Sequence, residues 1–295
     1  MPFRQITIIG TGLIGGSLGL SLRKQGFAGT IVGCDKPSVL EVARSRGAID
    51  RGEPESRRSV EGSDVVILAT PVGAILSLFE QLAPTLSSEV LITDTGSTKE
   101  QFAERARMIL GSEACNRVLP GHPMAGKEYG GIEHADADLF RNAVWLFTPL
   151  NASRQHPPAQ EEFIGLVNAS GARVIEIEPG RHDLVCAWIS HLPQMISTAL
   201  ASALREEFGD DDAIAQVGGR ALREMTRIAH SPYSMWRDIA HTNSKNLEDV
   251  LLKFEQQLAH LRENLRGPAL RKLFESANRF GIEPTSQPKP PRNTD

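Results

Sequence analysis

Three glycines at the spacing G-x-G-x-x-G, an acidic residue downstream of them, a histidine between glycine and proline, a serine and a row of arginines are the residues of this chain best suited to chemistry. Gly10, Gly12 and Gly15 follow the β-branched run Ile6-Thr7-Ile8-Ile9 and lead into a helical stretch through Leu18, Leu20 and Leu22. That layout sets a helix N-terminus at the end of a buried strand. Its unpaired N–H groups and the positive end of its dipole both favour a pyrophosphate. Gly10 allows the tight turn, Gly12 lets the backbone approach the phosphates, and Gly15 lets helix and strand pack closely. Asp35 ends a second strand-like run, Thr30 to Cys34, and stands 20 positions after Gly15. A carboxylate there accepts hydrogen bonds from the ribose hydroxyls and repels a 2′-phosphate, so NAD is expected over NADP. Lys36, next in the chain, softens that preference. The competing reading is a glycine-rich turn with a solvated aspartate; strand, glycines, helix and acid together speak for the dinucleotide.

Asp94-Thr95-Gly96-Ser97-Thr98-Lys99 also follows a strand and precedes a helix. Ser97 either caps that helix or holds a substrate oxygen at the nicotinamide end of the cofactor. Gly121-His122-Pro123-Met124-Ala125-Gly126 reads as a tight loop after Val118-Leu119. A lone loop histidine is usually just solvated. Here flanking Gly and Pro fix the backbone, and oxidising an alcohol asks for a base with a near-neutral pKa. His182 and His191 lie on a long helical segment, with Gln194 three positions beyond His191 and on the same face. H-E-x-x-H is absent and no third ligand is evident, so no metal is expected; a buried histidine steering loop or substrate is the preferred role. Arg220, Arg223 and Arg227 step by 3 and 4 along one helix face. They form either a solvated stripe or a carboxylate clamp of the kind arginine suits. Met225, Ile228 and Trp236 make the region partly apolar, and a net-negative protein with an anionic substrate needs such a cluster.

The elements that must position these residues follow from pattern. The chain has 295 residues, room for two domains. Hydrophobic residues are 40%, charged residues 23%, and the net charge is −4, which points away from nucleic acid and membrane surfaces. Cys34, Cys115 and Cys186 are odd in number and far apart, so neither a disulfide framework nor a cysteine zinc site is expected, and a reducing cytoplasm fits. The first strand begins within a few residues of Met1, leaving no room for a signal peptide, and no run of 18 apolar residues suggests a bilayer span. Short β-rich runs at 65–69, 90–93, 144–147 and 174–177 alternate with helical stretches, which implies a doubly wound parallel α/β sheet. Ligands gather outside the carboxyl ends of such strands, here Gly10, Asp35, Thr70-Pro71 and Asp94 to Ser97. Beyond Pro179-Gly180 the pattern is all helical: 182–206 with Pro193 expected to kink or break it, 213–230, and 232–266. Within the last, Leu247, Leu251, Phe254, Leu258, Leu261 and Leu265 form a heptad-type seam, which favours a homodimer. Gly267-Pro268 starts a short final helix stopped by Gly281. The expected organisation is a dinucleotide-binding domain over 1–178, a helical substrate and dimerisation domain over 179–284, and a polar, disordered tail over 285–295.

In order along the chain, Gly10-Thr11-Gly12-Leu13-Ile14-Gly15-Gly16-Ser17, Asp94 to Lys99, and Gly121 to Glu128 are followed by His182-Asp183, Ser190-His191-Leu192-Pro193, Thr226 to Ala229 and Met235 to Asp238. Together these segments resemble the prephenate/arogenate dehydrogenase family of tyrosine biosynthesis. The resemblance implies a Rossmann-type N-terminal domain that holds the cofactor at Gly10, Gly12, Leu13, Ile14, Gly15, Asp35, Thr70 and Pro71. It also implies an all-α dimerisation domain. The implied reaction removes hydride to NAD from the ring carbon bearing the hydroxyl while the ring carboxylate leaves as carbon dioxide. His122 is implied to bond that hydroxyl and help remove its proton, and Ser97 to orient His122 or the hydroxyl. Arg227 is implied to pair with a carboxylate of the dianionic cyclohexadienyl substrate, His191 to support the pocket, and Arg223 to hold a second carboxylate or a dimer contact. Gln194 stands where many prephenate-specific members have histidine, which leaves prephenate and arogenate both open. Two other readings compete. A β-hydroxyacid dehydrogenase would call for a lysine in the helical part, with Lys245 the nearest, and a non-catalytic NAD sensor would not need Ser97, His122 and Arg227.

Overall fold

The computed structural model describes residues 3–127, 129–151, 155–209 and 211–280. Glu128 and the proposed tail 285–295 lie outside them, as does Gly281. Two compact units divide the chain, residues 1–247 and 248–295.

The first unit opens with alternating strands and helices. These are β1 (Gln5–Ile9), α1 (Leu13–Lys24), β2 (Thr30–Cys34), α2 (Pro37–Ser45), β3 (Arg51–Gly52), α3 (Ser56–Ser59), β4 (Val65–Leu68), α4 (Val72–Leu82), β5 (Leu91–Asp94), α5 (Glu100–Leu110), α6 (Ala114–Arg117) and β6 (Val118–Leu119). The six strands form one parallel sheet in the order β3-β2-β1-β4-β5-β6. The order reverses beside β1, which leaves a crevice at the strand ends where dinucleotides bind. Both faces are covered, and alternate residues of each strand serve different cores. Ile6, Ile8, Val65, Ile67 and Leu91 pack into one, and Ile9, Val66, Leu68 and Ile92 into the other. Continuous apolar runs are the mark of parallel strands buried on both sides.

The later strands do not extend this sheet. β7 (Gly121–Met124), β8 (Val144–Phe147) and β9 (Arg173–Glu176) make a separate three-stranded sheet, with β7 antiparallel to β8. The segment read as a tight loop is therefore a strand, and His122 pairs in register with Leu146. Pro123 argues against a strand in sequence, but β7 is an edge strand, where a missing N–H donor is tolerated. α7 (Pro158–Ala169) connects β8 to β9.

From Pro179 the chain is helical. α8 (Pro179–Cys186), a wide π turn (Ala187–His191) and α9 (Leu192–Phe208) run on without interruption. Pro193 was expected to kink or break this segment; it sits in the first turn of α9, directly after the π turn, where a missing N–H donor is tolerated. By length and composition the whole stretch is apolar enough to cross a membrane, contrary to the expectation of no candidate span. It nevertheless carries the polar residues His182, Asp183, His191, Gln194 and Ser197 buried within protein.

The stretch 213–230 is not one helix. It divides into α10 (Asp212–Val217), α11 (Arg220–Thr226) and a 3₁₀ turn (Arg227–His230), broken at Gly218-Gly219. The third expected helix divides at Asn243 into α12 (Tyr233–Thr242) and α13 (Ser244–Glu263).

No boundary in packing falls at Pro179, because helical residues return to the first sheet's elements. Asp183 accepts the N–H groups of Lys99 and Glu100. Asp238 accepts that of Gly73, and Thr242 bonds Thr98. The second unit contains most of α13 and α14 (Pro268–Ala277), which starts at its Gly267 cap. Of the heptad seam, Leu258 and Leu265 are exposed, as is Phe274 of α14.

Candidate active site

The turn after β1 is shaped by what a side chain would strike. Gly10 has φ +93°, and a Cβ there would lie 2.6 Å from the Ala69 carbonyl oxygen. At Gly15 a Cβ would sit 2.0 Å from the Gly10 carbonyl oxygen, so helix and strand touch through backbone. Gly12 has nothing within 4 Å of the Cβ position. Its side faces open space at the start of α1, which has no side-chain cap. The first N–H groups of α1, at Leu13 and Ile14, therefore point to a place where an anion can approach. Asp35 closes the turn: its carboxylate accepts the Thr11 N–H at 2.8 Å and the Lys36 N–H at 2.8 Å. Thr70, at the end of β4, has a buried hydroxyl with no partner, and the exposed Pro71 begins α4. A cleared backbone, an uncapped helix and an orphaned hydroxyl at one crevice fit a dinucleotide.

The histidines gather next to the carboxyl end of β5. Asp94 is the hub. One carboxylate oxygen accepts the Gly121 N–H at 3.2 Å, the other the Gly96 N–H at 2.8 Å, and the ammonium of Lys99 pairs with it in full burial. Burial raises the Asp94 carboxyl and lowers the Lys99 amine against their mutual attraction. By holding Gly121, Asp94 fixes the strand that presents His122 one residue on. His122 is buried, and its Nδ1 lies 2.9 Å from Nε2 of His182, whose Nδ1 lies 2.7 Å from the Asp183 carboxylate. Burial and the nearby His182, Lys99 and His191 hold His122 well below the ordinary imidazole range, so it is neutral at physiological pH.

His191 closes the group from the π turn. Its Nδ1 is 3.2 Å from the Asn243 amide, its ring meets Trp236 edge-on, and its Nε2 is buried without a partner. Burial lowers its pKa to about 4. Gln194 is buried as well, and its amide nitrogen donates to the Ile228 carbonyl at 2.9 Å and to Thr198 at 3.2 Å. It thus ties α9 to the 3₁₀ turn that begins with Arg227. Ser97 is half-buried beside the hub. The protein partner of the His122 ring is His182 and not Ser97.

Arg223 and Arg227 do not enter the histidine cluster. Both are exposed and line an open cleft of about 1460 Å³, together with Lys127, Arg220, Glu224 and His230. Arg223 donates to the Gly218 carbonyl at 2.8 Å. Cys186 adds a third donor atom beside His122 and His182, all within 4.8 Å, a set that could hold a metal ion. No spacing rule pointed to it, since the three residues come from β7 and α8. The two ring nitrogens already bond one another, and burial pushes the Cys186 thiol up to about 12, so hydrogen bonding accounts for the set. Sequence reasoning passed over Lys99 and Asp183 as site residues. The signal available was their place in the recurring segments: Lys99 ends the one containing Ser97, and Asp183 follows His182.

A doubly wound sheet with an open glycine turn, and a buried neutral histidine beside it, define a dinucleotide-dependent dehydrogenase. Comparisons make that specific. Residues 18–176 match the family model for the prephenate dehydrogenase nucleotide-binding domain, and 178–278 that for the prephenate dehydrogenase dimerization domain. Prephenate dehydrogenase of Bacillus subtilis is 31% identical over 271 residues, 91% of this chain and 72% of that one. Cyclohexadienyl dehydrogenase of Zymomonas mobilis is 31% identical, covering 88% of both chains. Among solved structures, prephenate dehydrogenase from A. aeolicus, in complex with hydroxyphenyl propionate and NAD+, superposes with a TM-score of 0.84 at 30% identity, over 95% of this chain and 96% of that one. The chain belongs to the prephenate dehydrogenase family, and with that membership the β-hydroxyacid dehydrogenase and sensor readings give way.

Proposed function

We propose that this enzyme carries out the oxidative decarboxylation of prephenate, arogenate or both, with NAD as the hydride acceptor. The observation that carries the reading is His122, a buried imidazole held neutral next to the cofactor crevice. NAD, when bound on the glycine turn, accepts the hydride. His122 hydrogen-bonds the ring hydroxyl, draws its proton as the carbon–hydrogen bond breaks, and returns it to the phenol oxygen once carbon dioxide has left. The balance needs no net proton: hydride goes to the cofactor, and the electron pair of the lost carboxylate completes the aromatic ring. Exclusion of water by the surrounding buried residues strengthens each of these contacts.

Ser97, half-buried ahead of α5, holds the same hydroxyl in this reading. The unpartnered Nε2 of His191 supports the substrate ring's polar edge. Arg227 takes a substrate carboxylate and Arg223 a second one, in a cleft whose lining is rich in cations. Gln194 leaves its carbonyl oxygen for the ligand, an acceptor that suits an ammonium group and so admits arogenate beside prephenate. Gly10, Gly12, Leu13, Ile14 and Gly15 hold the pyrophosphate. Asp35 favours NAD over NADP, and Thr70 and Pro71 border the nicotinamide side.

The roles divide along the chain, residues 1–178 serving the cofactor and 179–284 the substrate and dimerisation, without a break in packing at Pro179. Two copies pair through the helical part, for which the exposed Leu258, Leu265 and Phe274 supply apolar surface. The enzyme works in the cytoplasm, where its three thiols remain free. The direct test follows NADH formation with prephenate and with arogenate, then repeats it with NADP. Turnover of neither substrate would overturn the reading.

A further inference from the structure

We propose that His182 and Asp183 form an orienting chain behind His122 that leaves its Nε2, and not its Nδ1, bare for the substrate. The proposal deepens the reading of His122 as the group that meets the substrate hydroxyl and rests on it.

The argument runs from the far end of the chain toward the site. Asp183 is fully buried, and its two carboxylate oxygens accept the first N–H groups of α5, from Lys99 at 2.7 Å and Glu100 at 2.9 Å. No side chain of its own caps that helix, so Asp183 does so from α8. A carboxylate that already takes two backbone donors at a helix N-terminus meets its neighbours as an acceptor. His182 Nδ1, 2.7 Å from the same carboxylate, must then carry the hydrogen. In a neutral imidazole the other nitrogen is bare. Nε2 of His182 can therefore only accept, and its partner at 2.9 Å is His122 Nδ1, which must donate. Each assignment forces the next, and the lone pair of His122 falls on Nε2.

Cys186 does not disturb the order. Its sulfur is 3.6 Å from His182 Nε2 and 4.0 Å from His122 Nδ1. When Nε2 of His122 takes the hydroxyl proton, the positive ring donates more strongly to His182, and Asp183 steadies the charge without itself taking a proton. His182 and Asp183 are thus positioning residues.

The experiment uses the full-length enzyme with ¹⁵N-labelled histidine, His122 being assigned by its absence in His122→Asn. The expected wild-type spectrum shows His122 as the Nδ1–H tautomer, and His182→Ala shifts it toward Nε2–H. The same variant lowers kcat about 10- to 100-fold with KM and NAD affinity unchanged. His182→Gln recovers most of the loss, because its amide oxygen can accept from Nδ1–H. An Nε2–H tautomer in the wild type overturns the chain, as does equal turnover of the Ala and Gln variants. Should His182→Ala fail to fold, the wild-type spectrum decides. Should neither cyclohexadienyl substrate react, the functional reading fails while the tautomer is still read.

Discussion

The glycine turn and the histidine cluster sit at the same crevice and are built in opposite ways. The turn uses backbone from six consecutive residues, and its shape depends on missing side chains. The cluster uses side chains from β5, β7, α8 and the π turn, and its shape depends on hydrogen bonds between buried polar groups. A turn of the first kind survives or fails on sterics. A cluster of the second kind survives or fails on whether each polar group keeps its partner.

The contrast can be broken most severely at Gly15. A methyl group there has no space against the Gly10 carbonyl, so Gly15→Ala should yield little folded protein, read by soluble expression and circular dichroism. Gly12→Ala is the control within the same turn. It should leave the melting temperature nearly unchanged and weaken NAD binding in a calorimetric titration, because its Cβ position is open. Wild-type NAD affinity in that variant would detach Gly12 from the pyrophosphate.

On the cluster side, His122→Asn should keep NAD affinity and lower kcat by about 10²–10⁴. Unchanged turnover would remove His122 from the chemistry. Lys99→Met should act on stability more than on binding. It leaves the Asp94 carboxyl buried and unpaired at a cost of about 3–5 kcal/mol, measurable by denaturant unfolding. Loss of under 1 kcal/mol would show that Asp94 is well served by its two N–H donors alone.

Acid gives the smallest of these effects. His191 has its pKa lowered from 6.5 to about 4 in the folded protein. The unfolded chain therefore binds the extra proton first as pH falls. Stability is complete above about 6.5, declines between there and 4, and loses on the order of a few kcal/mol in that window. His122 shifts in the same sense. The melting temperature should drop on going from pH 7 to pH 4.5, and His191→Asn should flatten the drop.

This same contrast explains what could be read from the chain before its fold. The turn was legible because its determinants are contiguous: strand, three glycines, helix and Asp35 within 35 residues. The parallel sheet was legible for the same reason, each apolar run being local. His122 was found as a residue and misplaced as a loop, since Pro123 reads as a breaker and only the pairing with β8 shows an edge strand. The arginines were expected on one helix, but Gly218-Gly219 ends α10 before it, and Arg227 opens a 3₁₀ turn. Asp94 and Lys99 gave no local hint of their pairing. Burial of both arises only when α5, β7 and α8 close over them, which no window of sequence contains.

The π turn at Ala187–His191 carries a geometric consequence. His182 and His191 are nine positions apart, about two and a half turns of an ordinary α-helix, which would aim them to opposite sides. The wider turn rotates the chain less per residue and swings His191 back toward His182, so that both imidazoles act on His122. Those five residues serve as an angular offset between two straight rods. Regular α winding over those same five residues would turn every side chain of α9, Gln194 included, by about a quarter of a revolution.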